Sequence, residues 1–389
     1  MTNSNDSKPK SLLLMIAGAK GAVGSTVAAA VAAMQKNPDV ILPSLITRNS
    51  FVYLGPPESI FMTGWDAQSA TLVDSIKNHG VLTDNLLKPL EKALDKTPIL
   101  PSPPQNLDLK GQVAHLTKDI QDFKKQHADA LPVMINLLPA CTRCNLDQVK
   151  HVDDLYAEVT PENFPDLAYV LAAIISEIPV VNFSPNRLEI PVVVQEAVEH
   201  RIPISGRDGK TGQTYFKVVL ASALKARSLY VDGWYSLNIL GNADGKNLMD
   251  PDRAAGKVAN KTELLDEILG YSVGEHYQEP THKVHIDYYP PRGDAKEAWD
   301  VVDFCGLFDL PMSLRLNIQG RDSILAAPMV LDLARWMAAL KMAGCSGSVP
   351  ELGFYFKKPI GENPPLSFQD QVNRLRTLEK ECDEKCLYK

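Results

Sequence analysis

The stretch "YSLNILGNADGKNLMDPDRAAGKVANK", residues 235–261, runs from an apolar strand-like segment into Gly-Asn-Ala-Asp-Gly and then two lysines four residues apart, Lys257 and Lys261. On one helix face that spacing sets like charges against each other unless an anion lies between them. A lysine can polarise a carbonyl or hold a developing enolate, and beside other cations it can lose its proton and act as a base. Lys296 in "PRGDAK" and Lys357 in "FYFKKPIG" also follow turn or strand-end patterns. Taken alone, all four read equally well as solvated surface charges. The histidines add little: His282 and His285 in "HKVH" have no second cluster at metal-ligand spacing, and no serine sits in a nucleophile elbow. The pattern speaks against a hydrolase and calls for no metal.

Two glycine-bearing segments offer sites for anions. "GAKGAVGST" places Gly18, Gly21 and Gly24 between an apolar run, "SLLLMIAG", and a small-residue helical pattern. Small residues there let the backbone approach a pyrophosphate, and a helix amino end bearing Ser25 and Thr26 offers N–H and hydroxyl donors. Ala19 occupies the first glycine position of the dinucleotide fingerprint, and no acid stands about 20 positions on. Asp66, closing "SIFMTGWD", is the best ribose partner and equally a helix N-cap for 67–78. In "SGRDGKTGQT" (205–214), Gly209, Thr211, Gly212 and Thr214 suit an oxyanion-binding turn, with Lys210 as a point charge. A helix capped by Thr211 accounts for the same residues.

Strand-like runs at 11–18, 59–66, 130–140, 178–185 and 202–208 alternate with helical patterns, notably 162–177 and 188–200. That order predicts a parallel α/β sheet covered on both faces, with ligands beyond the carboxyl ends of its strands. Gly64-Trp65-Asp66, Ser184-Pro185 and Arg207-Asp208 fall at those ends. The proline-rich 98–108 reads as a loop, and residues 1–10 as a polar disordered tail. From about 228, longer alternating strands predict a second domain on a mixed or antiparallel sheet, open on one side to helices or a partner subunit.

A chain of 389 residues with a net charge of −7 has no general affinity for nucleic acid or an anionic membrane surface. The apolar start is brief and passes straight into glycine-rich turn residues, as a first strand does rather than an export signal. The apolar segment 323–344 carries Asp332, Arg335 and Lys341 and reads as a core helix, not a membrane span. Six cysteines form no disulfide framework, which points to a reducing cytoplasm. "CTRC" (Cys141, Cys144) and "CDEKC" (Cys382, Cys386) lie far apart in sequence and the second spacing is loose, so they read as packing residues or tail thiols rather than a zinc site.

In this order the segments resemble myo-inositol-1-phosphate synthase, from residue 11 to about 360. "GWD" (64–66), "NFSPN" (182–186), "GRDGKTGQT" (206–214), "LGNADGKNL" (240–248), "GDAK" (293–296), "RDSILAAPMVLDL" (321–333) and "FYFKKP" (354–359) carry the likeness. It implies an α/β fold, a Rossmann-type NAD-binding domain with an inserted α+β catalytic and oligomerisation domain. The divisions would be 11–205, 206–320 and a return at 321–389, usually in a homotetramer. It implies a sugar-phosphate substrate and an internal redox cycle. NAD oxidises C5 of glucose 6-phosphate, a C6 proton is removed, the enolate attacks C1, and C5 is reduced again.

Carried over by motif, Lys257, Lys296, Lys261 and Lys357 would supply proton transfer and charge for oxyanions and phosphate. Asp208 and Asp244 would position the nicotinamide, the substrate or a lysine. Lys210, Thr211, Gly212, Gln213 and Thr214 match the substrate-gripping segment. Gly18, Gly21, Ala22, Val23, Gly24, Ser25, Thr26, Asp66, Ala140, Thr142, Ser184, Asn242, Ala243, Gly293, Asp294, Asp322 and Ser323 match cofactor-lining positions. Departures lie in the shorter glycine loop, in "ACTR" (140–143), in Arg187-Leu188-Glu189-Ile190 after "NFSPN", and before Lys257, where the family's Phe-Arg-Ser is missing.

Overall fold

A computed structural model describes residues 9–141, 146, 148–241, 245, 246, 249 and 264–387. Seven parallel strands form one sheet: β1 (Leu12–Ala17), β2 (Ile60–Asp66), β3 (Ile99–Pro101), β4 (Leu131–Asn136), β5 (Val180–Asn182), β6 (Pro203–Gly206) and β11 (Gly347–Ser348). Their order is β11-β6-β5-β4-β1-β2-β3, so the chain reverses direction across the sheet between β1 and β4. β1 is buried at every position, as a strand covered on both faces requires. Each such Leu, Ile or Met removes enough apolar surface from water to contribute about 1.5–3 kcal/mol.

One face is covered by α1 (Ala22–Lys36), α2 (Leu72–His79), α7 (Asp322–Met342) and α8 (Phe368–Leu387). The other carries α3 (Leu109–Gln126), α4 (Asp166–Ile175) and α5 (Pro191–Glu199). Helix α7 is long and apolar enough to span a membrane by length and composition, but 78% of its most apolar window is buried in this core. Its charges hold neighbouring backbone. Asp332 accepts from the amides of Ile46 and Thr47 and from the Thr47 hydroxyl, while Arg335 donates to the carbonyls of Ser50 and Gly55.

The second sheet contains β7 (Tyr230–Leu240), β8 (His282–Tyr288), β9 (Ala295–Cys305) and β10 (Pro311–Arg321), in the order β10-β9-β7-β8. β7 and β8 are parallel and the other pairs antiparallel. Helix α6 (Gly212–Ala226) packs on its inner face through Val218, Ala221 and Leu224 against Val231, Trp234 and Val302.

Two expectations change. The proline-rich 98–108 contains β3, which pairs only with β2 at the sheet edge, where a proline costs no ladder bond. Asp66 caps no helix. α2 starts at Leu72, and its cap is Thr71 in a capping box with Asp74.

Candidate active site

At the carboxyl end of β1 the chain turns through Gly18-Ala19-Lys20-Gly21 into α1. Gly18 has φ +85°, in the left-handed region that favours glycine. A Cβ on Gly24 would stand 2.5 Å from the Gly18 carbonyl oxygen, so only glycine lets α1 approach the loop this closely. Gly21 caps α1 with no side-chain hydrogen bond, and Gly21, Ala22 and Val23 are half-buried. The Ser25 and Thr26 hydroxyls do not face outward. Both side chains are buried and donate back to the Ala22 carbonyl, at 3.4 and 2.7 Å. Asp66 reaches the same loop: its carboxylate accepts from the amides of Lys20 (2.7 Å) and Gln68 (2.9 Å).

Beyond β6, residues 206–210 pair antiparallel with 355–360. Arg207 N donates to Lys358 O, Lys357 N to Asp208 O, Lys210 N to Tyr355 O and Ile360 N to Gly206 O. This ribbon sets Lys357 against Asp208, with Nζ donating to Oδ1 at 2.7 Å. Asp208 has φ +60°, which an aspartate tolerates better than most residues. Its amide donates to the Ser184 carbonyl at 2.9 Å, joining this corner to the end of β5.

A second ion pair lies alongside. Lys296, at the start of β9, donates to Asp322 Oδ2 at 3.1 Å, and the Thr211 hydroxyl donates to Asp322 Oδ1 at 3.2 Å. Burial pushes the Asp322 carboxyl up, but the Lys296 ammonium and its hydrogen bond, with Lys357 beyond, outweigh it and hold the group below the ordinary carboxylate range. Lys296, Asp322, Thr211, Asp208 and Lys357 therefore form one charged constellation. Thr211 is the N-cap residue of α6, as expected, but its hydroxyl serves Asp322 rather than the helix. Close by, Asp294 is buried and accepts from the Ser323 hydroxyl at 3.5 Å, and Gly293 turns with φ +55°.

Lys210 departs from its expected place. Its Nζ is buried and donates to Gly353 O (3.0 Å) and Gln371 Oε1 (2.8 Å), away from the two ion pairs. Gln213 and Thr214 are also buried, and Gln213 donates to Asp300 Oδ2 at 2.9 Å. Gly212, with φ +47°, lies 3.5 Å by its would-be Cβ from Asp322 Oδ1. Ser184 is buried, and its hydroxyl accepts from the Asn186 amide. Ala140 is half-buried just past β4. Thr142, Asn242, Ala243, Asp244, Lys257 and Lys261 lie outside the described residues.

Sequence reasoning missed two buried networks. Asp166, Asn136, Asn182 and Asn186 interlock past β4 and β5: Asp166 Oδ2 accepts from Asn136 at 2.7 Å and Asn186 at 2.8 Å. Burial raises the Asp166 pKa despite these bonds. Under the second sheet, Asp300 accepts from Gln213, Trp234 and Ser236, while Lys217 Nζ lies 2.7 Å from His282 Nε2. The only available signal was polar residues inside strand and helix patterns. Among the described residues, no three His, Cys, Asp or Glu side chains converge as a metal site.

A parallel nucleotide-binding-type sheet, with a mixed-sheet domain inserted before its last strand and a paired-lysine site at the junction, defines a Rossmann-like two-sheet protein. Among solved structures, inositol-3-phosphate synthase from Caenorhabditis elegans superposes with a TM-score of 0.84 at 20% identity, covering 96% of this chain and 86% of that one. A myo-inositol-1-phosphate synthase-related protein from Thermotoga maritima gives 0.77 at 20% identity, covering 95% and 98%. Residues 212–323 match the family model for myo-inositol-1-phosphate synthase. Inositol-3-phosphate synthase 1 of Bacteroides thetaiotaomicron is 38% identical over 257 residues, 64% of this chain and 59% of that protein. Over these residues the chain is similar to inositol-3-phosphate synthases, and it spans about 59% of the length of the curated relatives it matches.

Proposed function

We propose that this protein converts glucose 6-phosphate to inositol 3-phosphate, using NAD without net consumption. The observation that carries this reading is the pair of lysine–carboxylate contacts, Lys357–Asp208 and Lys296–Asp322, near enough at the carboxyl end of the parallel sheet for the Lys357 charge to act on Asp322. A cyclisation that creates oxyanions at two carbons of a phosphorylated sugar needs several positive charges in one place.

The glycine loop fits a dinucleotide. Its tight Gly18–Gly24 approach, the side-chain-free cap at Gly21 and the Asp66 carboxylate beside it are the features such a ligand uses. Gly18, Gly21, Ala22, Val23 and Gly24 would hold the pyrophosphate and Asp66 a ribose hydroxyl. Ser25 and Thr26 support the loop from below. Ala140, Ser184, Gly293, Asp294 and Ser323 would line the nicotinamide side, with Thr142, Asn242 and Ala243 assigned by motif alone. NAD, when bound, supplies reversible oxidation of a substrate carbinol.

A lysine ammonium carries three N–H donors, so the single bond from Lys296 Nζ to Asp322 leaves donors for a substrate oxygen. Lys357, oriented by Asp208, would hold the second oxyanion. Thr211, Gly212, Gln213 and Thr214 would present the α6 amino end to the phosphate. Lys257, Lys261 and Asp244 complete the set by motif. The domain limits 11–205, 206–320 and 321–389 and a cytoplasmic setting belong to the same reading.

The outer face of the second sheet supports a homo-oligomer, a tetramer in this reading. Tyr235, Leu237, Trp299 and Val301 form an apolar centre, with Tyr235 46% and Trp299 48% exposed. Lys283, His285, Arg315 and Asn317 rim it on the outer strands.

The test is purified protein with glucose 6-phosphate and catalytic NAD, followed by phosphorus NMR. Inositol phosphate formed over many turnovers per NAD is expected. Stoichiometric NADH instead would indicate a net dehydrogenase, and no product would reject this substrate.

A further inference from the structure

Within "GRDGKTGQT", Lys210 was the natural point charge for a substrate phosphate, yet its side chain runs the other way. Lys210 and Gln371 are 3% and 2% exposed and meet at 2.8 Å. Gln371 is itself fixed on α8: its Nε2 donates to the carbonyls of Pro365 and Leu366, each at 3.2 Å. With Nε2 committed to those carbonyls, Gln371 turns its amide oxygen to Lys210. Both acceptors of Lys210, Gln371 Oε1 and Gly353 O, are neutral. An uncharged amine has two N–H donors and satisfies both, and burial brings the Lys210 pKa down to about 7.

What Lys210 holds is the loop between two site residues. Two positions before it, Asp208 accepts from Lys357, and one position after it, Thr211 donates to Asp322. Its own amide donates to Tyr355 O at 2.8 Å. The partner segment is tied to α8 a second time, by Arg374 to Glu351 at 2.8 Å.

We infer that Lys210 is a positioning residue, and that Gln371 acts through it to make the C-terminal helix part of the active-site scaffold. The Lys210–Gln371 bond sets where Asp208 and Thr211 stand, and Lys210 binds no substrate. The inference rests on the proposal that 208–214 grips the substrate.

The test compares wild type, Lys210→Met, Gln371→Met, the double variant and Arg374→Met. Each of the first two should lower kcat about tenfold with KM within about twofold, because a small displacement of catalytic groups costs turnover. The double variant should be no worse than the poorer single, as two halves of one contact behave. Arg374→Met, which loosens α8 without touching Lys210, should lower the melting temperature and leave kcat unchanged.

Three kinetic results would overturn the inference. One is a raised KM in Lys210→Met beside a normal Gln371→Met, which would make Lys210 a substrate ligand. The second is multiplicative losses in the double variant. The third is an equal kcat loss in Arg374→Met, which would reduce the effect to general loosening. Backbone hydrogen exchange of 208–214 decides the matter independently of substrate. It should quicken in both Lys210→Met and Gln371→Met but not in Arg374→Met, and unchanged exchange in the first two sinks the tether. A wild type inactive on glucose 6-phosphate with this exchange pattern intact would refute the proposed reaction alone.

Discussion

Lys357 Nζ donates to Asp208 Oδ1 at 2.7 Å although the two residues stand 149 positions apart, because Lys357 N also donates to the Asp208 carbonyl at 2.8 Å. The backbone ribbon brings the strands into register, and the ion pair follows from that register.

Removing one partner of this little-exposed pair should therefore be felt twice. Asp208→Ala leaves the ammonium without its carboxylate and should cost about 3–5 kcal/mol of stability. Lys357→Met should cut turnover by about a hundredfold or more, as the loss of an oxyanion-stabilising donor does. Urea unfolding and steady-state kinetics on both variants check this. Normal turnover in Lys357→Met would remove that lysine from the mechanism.

Asp322 links charge to acid stability. Its folded-state pKa lies below the ordinary carboxylate value, so the stability it contributes is present above that value and is lost as pH falls through the folded one. Lys296→Met removes the largest lowering influence and lets burial prevail. The acid-unfolding midpoint, followed by circular dichroism, should then move to higher pH.

Lys210 predicts the same sense at the alkaline side. Its folded pKa of about 7 is below the usual lysine value of 10.5, so between the two the unfolded chain binds more protons. Stability from this group therefore rises with pH from about 7 towards 10. The difference in unfolding free energy between wild type and Lys210→Met should change in that direction across the window. A flat difference would show that Lys210 stays charged in the folded protein.

Gly24→Ala should disturb the nucleotide loop, since its Cβ would stand 2.5 Å from Gly18 O and 2.7 Å from Ala19 O. Overpacking of this kind costs about 1–3 kcal/mol. Calorimetric titration should show NAD binding weakened at least tenfold, while an unaltered affinity would place the dinucleotide elsewhere.

Trp299→Lys puts a charge at the apolar centre of the open sheet face. Sedimentation velocity should show a smaller species than wild type. An unchanged distribution would exclude this face as the subunit contact.

Much of this protein was legible in its residues. Buried apolar runs alternating with helical periodicity dictated the parallel sheet, and the longer alternating runs after 228 dictated a second, half-covered one, because side-chain period follows burial. The glycines of the first loop were readable because their need is local: a left-handed turn and a close helix approach. The directions of the polar side chains were not. Lys210 reads as a phosphate ligand until α8, more than 150 residues later, supplies Gln371 as its partner. Thr211 reads as a helix cap until Asp322 stands closer. Asp166, Asp300 and Lys217 carry no motif at all, yet the fold buries each against partners from other strands and helices. Periodicity reports which face of an element is apolar. Which polar atom meets which is decided by the packing of segments distant in sequence, because a buried donor or acceptor must find whatever partner the tertiary fold brings within about 3 Å.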